Sequence, residues 1–335
     1  MSSSPDSTPG TGTEADATST PDATPQTGRD AGATSASYTL VGAALAASAA
    51  VLWGSTGSLV RKLLLAGITP LTLVESRSLV AVVGMGLFLL VAGRSRLRVA
   101  RRDVPLLVLF GLSVAVVTYA YFLAVKLLPV AIAVMVQYTG PTMIALYTAL
   151  ATRRLPAPRI WLALALTLAG VGLLAGIGGL GGSQSSLNPL GLLVALGSAV
   201  AMALYILVGE RLGKRVHPQT SVFYGFGIAL LLWLVLQPPW SFQTAALAPS
   251  AWPLVLGVGV LGTLIPFGLF LTAIRRLDAT RAAIISTLEP VTAAAVAWVW
   301  LGEGLDAWQV LGGALVLVGV TVVQLRASRR AGSPL

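Results

Sequence analysis

Three ionisable side chains sit inside apolar runs of this chain: Glu75, Arg77 and Glu289. A charge in hydrocarbon costs roughly 2.5–3.5 kcal/mol on insertion scales, so the few that persist bind, pair or carry something. Glu289 falls near the middle of the run 279–300 and is followed by Pro290. Proline removes a backbone donor and frees a carbonyl one turn earlier, which predicts a helix kink beside the carboxylate. Ser286 is one turn back on the same face. A carboxylate at that depth can hold a proton or a cationic substrate group, one at a time. Its alternative role is to bond a neighbouring helix and hold the bundle together. Arg77 can snorkel, pair with a carboxylate, or meet an anionic substrate group. Glu75 and Arg77 are two apart and so face different sides of a helix; Glu75 is expected at the rim. Trp53, Tyr119, Tyr138, Tyr147, Tyr205 and Tyr224 are further candidates for a pocket wall, with plain packing the competing role for each. Tyr147 enters because it is seven residues from Gly140, a spacing that shares one helical face.

The remaining inventory argues against catalysis. There is no Cys, and the single His, His217, falls in a loop. No thiolate nucleophile, disulfide framework or metal cluster is available. No cofactor is implied, because the glycines of 176–182 lack the spacing and the Lys of a phosphate loop. The chain is read as a non-enzyme.

The scaffold that must position these residues is a membrane bundle. Hydrophobic residues make up 56% of the 335, charged residues only 10%, and the mean hydropathy is +0.84. Soluble domains are about 25% charged. A spanning helix takes about 20 residues, and ten candidate spans fit near 39–60, 69–92, 104–125, 128–150, 158–178, 189–209, 218–237, 252–273, 279–300 and 307–326. Basic residues alternate across them. Arg94, Arg96, Arg98, Arg101 and Arg102 follow the second span, and Arg153, Arg154 and Arg159 the fourth. Arg211, Lys214 and Arg215 follow the sixth, Arg275, Arg276 and Arg281 the eighth, and Arg326, Arg329 and Arg330 the last. The opposite loops hold only Arg61, Lys62 and Lys126. Positive charge stays cytoplasmic, so both termini are expected inside. The net charge of +10 therefore reports topology and not a nucleic-acid partner. Residues 1–38, rich in Ser, Thr, Pro, Gly and Ala, read as a disordered cytoplasmic tail without a secretory signal, and 327–335 as a second cytoplasmic tail.

The sequence also repeats itself. Leu128 shifted by 149 residues falls on Leu277, and the same shift carries Gly42 to Gly191, Pro141 to Pro290 and Gly170 to Gly319. Five spans per copy leave the second copy upside down, a construction plan of secondary transporters. The predicted fold is therefore an all-α integral membrane protein of ten transmembrane helices, arranged as two inverted five-helix repeats over 39–178 and 189–326. Gln137 and Gly140 are the first-copy equivalents of Ser286 and Glu289. The fourth and ninth spans, each with its helix-kink candidate (Pro141 and Pro290), would face one another across a central cavity.

Leu52-Trp53-Gly54 with Arg61-Lys62, Thr69-Pro70 leading to Arg77, and Tyr121-Phe122 before Ala124 resemble segments of the drug/metabolite transporter superfamily's EamA domain. So do Leu288-Glu289-Pro290, Leu301-Gly302-Glu303, and Gln309 to Gly313 through Gly319-Val320. The resemblance covers about residues 39–326. It implies two EamA repeats and alternating access that moves small metabolites, often amino acids, across a bacterial plasma membrane, commonly outward. Gly140 departs from the pattern by leaving the first copy without a carboxylate before its proline. The expected partners are a small-molecule substrate, the lipid bilayer and protons as a coupling ion. Two alternatives stay open: an exporter of lipophilic cationic drugs, and a non-transporting lipid-handling or scaffold protein.

Overall fold

The computed structural model describes residues 27–93, 97–140, 142–144, 147, 158–174, 187–277 and 285–331, with side chains described among these from Leu40 to Val322 except at residues 159, 160, 210, 271, 274 and 275. Among these residues the chain is helical, with no strand. Six helical stretches are long and apolar enough to cross a membrane: Leu40–Leu65, Pro70–Ala92, Arg101–Leu127, Pro189–Gly213, Pro218–Leu236 and Trp252–Phe270. Shorter apolar helices occupy Trp161–Leu174, Leu288–Leu301 and Ala307–Val322, and a further apolar run begins at Val130. The tail expected over 1–38 lies outside the described residues up to residue 26.

The elements are α1 (Thr27–Leu65), α2 (Pro70–Ala92), α3 (Val104–Leu127), α4 (Val130–Gln137), α5 (Pro158–Leu174), α6 (Pro189–Gly213), α7 (Pro218–Leu236), α8 (Trp252–Gly259), α9 (Ile265–Arg276), α10 (Leu288–Leu301) and α11 (Ala307–Ala331). A π-helical turn, Val260–Leu264, joins α8 to α9. Their ends follow local chemistry. Thr69 caps α2 by accepting from the Thr72 N–H, with Pro70 at the first position. Asn188 caps α6 from the N–H groups of Leu190 and Gly191, again before a proline. An uncapped start leaves backbone donors without partners, and proline there has no donor to lose. Gly302 ends α10 at φ 69°, its N–H turned back to the carbonyls of Ala297 and Trp298. Only glycine adopts that left-handed turn at little cost.

Side chains that water would not tolerate cover the outside: Val91 is 91% exposed, Val299 80% and Val235 75%. Lipid is the solvent that makes such exposure stable. Between helices the contacts are close and use small residues, as helices in lipid require. A methyl at Gly170 of α5 would stand 2.8 Å from Val316 of α11, and one at Gly319 of α11 would stand 2.7 Å from Thr167 of α5. The shift of 149 converts one contact into the other. Likewise Gly42 abuts Leu277 and Gly191 abuts Leu128, again reciprocal mates.

The loops collect at two ends. At one, Arg215 Nη1 lies 3.4 Å from Asp103 Oδ1, and the Tyr224 hydroxyl donates to the Leu97 carbonyl at 2.8 Å. At the other, Gln243 accepts from the Thr69 N–H and donates to the Gly67 carbonyl, both at 2.9 Å. There Arg61 Nε donates to Glu303 Oε1 at 2.9 Å.

Candidate functional site

A cavity of about 610 Å3 lies between the two halves, within the roughly 300–1,000 Å3 range of small-molecule sites. Of the residues singled out from sequence, Trp53, Arg77, Gln137, Tyr138, Tyr205, Ser286 and Glu289 line it.

Glu289 is the second residue of α10, at the positive end of that helix dipole. The Tyr138 hydroxyl lies 2.8 Å from Glu289 Oε2 and 2.8 Å from the Ser286 carbonyl oxygen. A phenol has one proton to give, so both contacts are hydrogen bonds only when the carboxyl carries a proton of its own. Tyr138 comes from the turn after α4, so one half's tyrosine touches the other half's acid.

The backbone explains how these groups reach one another. The helix of the fourth span stops at Gln137, turns through Tyr138 and Thr139, and resumes at Gly140. The ninth span has a turn at Thr287, the repeat equivalent of Tyr138, before α10 starts. Pro290 is therefore a buried first-turn residue of a new helix, a position where its missing N–H costs little. Pro141 lies outside the described residues. Gly54 lets α1 press on this start: a methyl there would fall 2.6 Å from the Glu289 carbonyl oxygen.

Arg77 reaches across from α2. Its Nε donates to Thr263 Oγ1 at 2.5 Å and its Nη2 to the Gly262 carbonyl at 3.4 Å, both in the π-helical turn. Its guanidinium stands 5.5 Å from the Phe122 ring centre and 5.8 Å from that of Phe226. A π turn displaces the backbone from regular helical register, which often marks functional positions. Gly262 also admits α1, since Thr56 occupies the space its Cβ would need. Neither Arg77 nor Glu289 forms an ion pair among the described residues.

The wall around them is aromatic. Trp53 meets Phe267 and Phe270 edge-on at 5.4 and 5.3 Å, and Tyr205 stacks on Phe110 at 5.2 Å. Gln137 Nε2 donates to Ser198 Oγ at 2.7 Å, so that amide ties α4 to α6.

Three expected wall residues lie elsewhere. Tyr119 packs on Trp233, 5.8 Å between ring centres. Tyr224 spends its hydroxyl on Leu97. Tyr147 is 56% exposed; its reference point, Gly140, faces α6 at the Ala199 carbonyl and not the cavity, so sharing that face does not bring Tyr147 to the wall. Glu75 is no rim residue; it is only 6% exposed, and its Oε2 finds no partner among the described residues. Sequence reasoning passed over Tyr121 and Thr263. Nor does the sequence show that Arg61 and Glu303 pair.

Two stretches, residues 40–176 and 189–325, match the EamA-like transporter family. The chain belongs to that family. This EamA-like protein is a multi-pass membrane transporter of small molecules, not an enzyme. It is 33% identical over 219 residues to the threonine/homoserine exporter RhtA of Salmonella typhimurium (strain SL1344), covering 64% of this chain and 70% of the relative. The pseudopaline exporter CntI of Pseudomonas aeruginosa is 29% identical over 238 residues, 70% of this chain and 80% of that one. A solved crystal structure superposes with a TM-score of 0.56 at 23% identity, covering 90% of this chain and 99% of the other. That likeness concerns the fold.

Proposed function

We propose that this EamA-like transporter exports small zwitterionic metabolites, amino acids or close relatives, across a bacterial plasma membrane by alternating access. One observation carries the reading: Arg77 of the first repeat and Glu289 of the second face the same cavity, and among the described residues neither forms an ion pair. A carboxylate and an ammonium on one small molecule complement that pair. The names of the relatives RhtA and CntI, both exporters, agree in direction.

Ten spans in two inverted five-helix repeats supply the mechanics. The correspondence of the Gly170–Val316 contact with Gly319–Thr167, and of Gly42–Leu277 with Gly191–Leu128, supports a two-fold relation between the halves. The cavity lining reaches Gly213 and Pro218 at the end rich in Arg and Lys, the cytoplasmic side by the charge rule. At the far end Arg61 Nη1 also donates to the carbonyls of Val125 at 2.6 Å and Lys126 at 2.9 Å. Glu303 Oε2 there accepts from the Val130 N–H at 2.9 Å. This conformation faces inward, with both termini cytoplasmic. Glu289 gives up its proton as a substrate ammonium arrives and regains one from outside, so a proton enters for each substrate that leaves.

Export of lipophilic cations is the second reading. The wall of Trp53, Phe267, Phe270 and Phe226 favours it; the fixed cation at Arg77 opposes it. Purified protein in liposomes decides. Threonine or homoserine inside should drive uptake of labelled threonine by exchange, and tetraphenylphosphonium should not compete. Competition by the cation with no response to amino acids would overturn the proposal.

A further inference from the structure

Outside the central cavity, the bundle carries a second built recess. It lies where the start of α3 meets the end of α6, has a volume of about 480 Å3, and is rimmed by Arg102, Arg211, Lys214 and Arg215. Asp103, almost wholly buried, orients two of these, lying 3.4 Å from Arg215 and 3.9 Å from Arg102. The two guanidinium side chains themselves stay open, 83% exposed for Arg102 and 58% for Arg215.

The floor is apolar. Pro105, Leu106 and Leu109 line it, and Leu109 continues into an exposed strip of α3 through Leu112 and Val116. These fall at spacings of three and four, hence on one face. Opposite them, Arg211 shares its face of α6 with Leu204 and Val200, also exposed. α3 and α6 are packed neighbours, so the two exposed strips flank one seam. Cations at the interface above an apolar seam fit one kind of molecule, an amphiphile with an anionic head and acyl tails.

We infer that this recess binds an anionic phospholipid, its phosphate among Arg102, Arg211, Lys214 and Arg215 and an acyl chain along the α3–α6 seam. The site is independent of the transported substrate. A free phosphate shares the head's chemistry but gains nothing from the seam.

The test is thermal unfolding of the detergent-purified protein with added phosphatidylglycerol, phosphatidylcholine or inorganic phosphate. Binding to the folded state raises the apparent Tm by mass action. Phosphatidylglycerol should raise it beyond phosphatidylcholine, the excess should shrink with added salt, and phosphate alone should do little. A combined Arg102→Gln, Arg211→Gln, Lys214→Gln protein should lose the excess while keeping its substrate-induced shift. Equal shifts from the two lipids, an equal shift from phosphate, or an undiminished excess in the variant would overturn the assignment. Should the variant fail to fold, a photoreactive phosphatidylglycerol on the unaltered protein decides. Labelling within residues 105–116 or 200–215 supports the site, and labelling spread elsewhere sinks it.

Discussion

At the residue scale, the proposed function makes Glu289 and Arg77 separable halves of one recognition. Gln in place of Glu289 keeps the shape and a partner for Tyr138, so the fold should persist. It removes the charge that answers an ammonium. Hydrogen bonds to charged groups are worth about 1.5–3 kcal/mol, so Glu289→Gln should weaken threonine binding by roughly ten-fold to a hundred-fold, read by calorimetry on purified protein. An unchanged Kd would remove Glu289 from the site. Arg77→Gln should act on the other end of the ligand. The unaltered protein should favour threonine strongly over the matching amino alcohol, which lacks the carboxylate; the variant should bind the two alike. If the variant still discriminates, Arg77 serves packing against Phe122 and Phe226 and not the substrate.

At the element scale, the decisive feature is that two spans break where a sequence pattern shows continuous apolar helix. Gly54 of α1 holds one of these breaks in place, and its lack of a side chain is what permits the contact with Glu289 and Ala293. Gly54→Ala should therefore cost about 1–3 kcal/mol through overpacking and displace Glu289 as well, lowering both Tm and substrate affinity. A loss of Tm with affinity intact would show that α10 relaxes without moving the acid. Much of this architecture was legible from the chain. Apolar lengths gave the long helices, Thr69-Pro70 and Asn188-Pro189 marked two starts, and the offset of 149 gave the repeats. The approach of Glu289 to the fourth span, seen in the Tyr138 contact, was also readable, because the shift of 149 makes the two spans equivalents. The face of Tyr147 was not, since the count started from Gly140, which packs on α6 and not on the cavity. The Arg61–Glu303 bond was not either. It joins residues 242 apart, and neither periodicity nor hydropathy carries information about which loop ends meet. Glu75 was misplaced for a similar reason: depth along a helix does not tell which neighbours shield it.

At the scale of the whole molecule, the end that the proposed orientation makes the outer one is held by Arg61 and Glu303, whose charged atoms draw in Val125, Lys126 and Val130 as well. The shift of 149 residues carries Arg61 onto Glu210 and carries Glu303 back onto Arg154, so the same two charges recur with their owners exchanged. A transporter that alternates by exchanging the conformations of its repeats should hold one such latch in each state. Breaking either should bias the protein toward the opposite opening. A partly buried pair that loses one partner leaves the other charge uncompensated, and a shift of 1.4 kcal/mol is ten-fold in population. Glu303→Gln should therefore raise the rate at which a membrane-impermeant thiol reagent, added from outside, labels a cysteine placed at Ser286. Arg154→Gln should lower it. The chain has no native Cys, so the readout comes from that site alone. Exchanging the pair, Arg61→Glu with Glu303→Arg, should restore rates toward those of the unaltered latch. If both single changes move labelling in the same direction, the two ends are not mates, and the alternation has another basis than this symmetry.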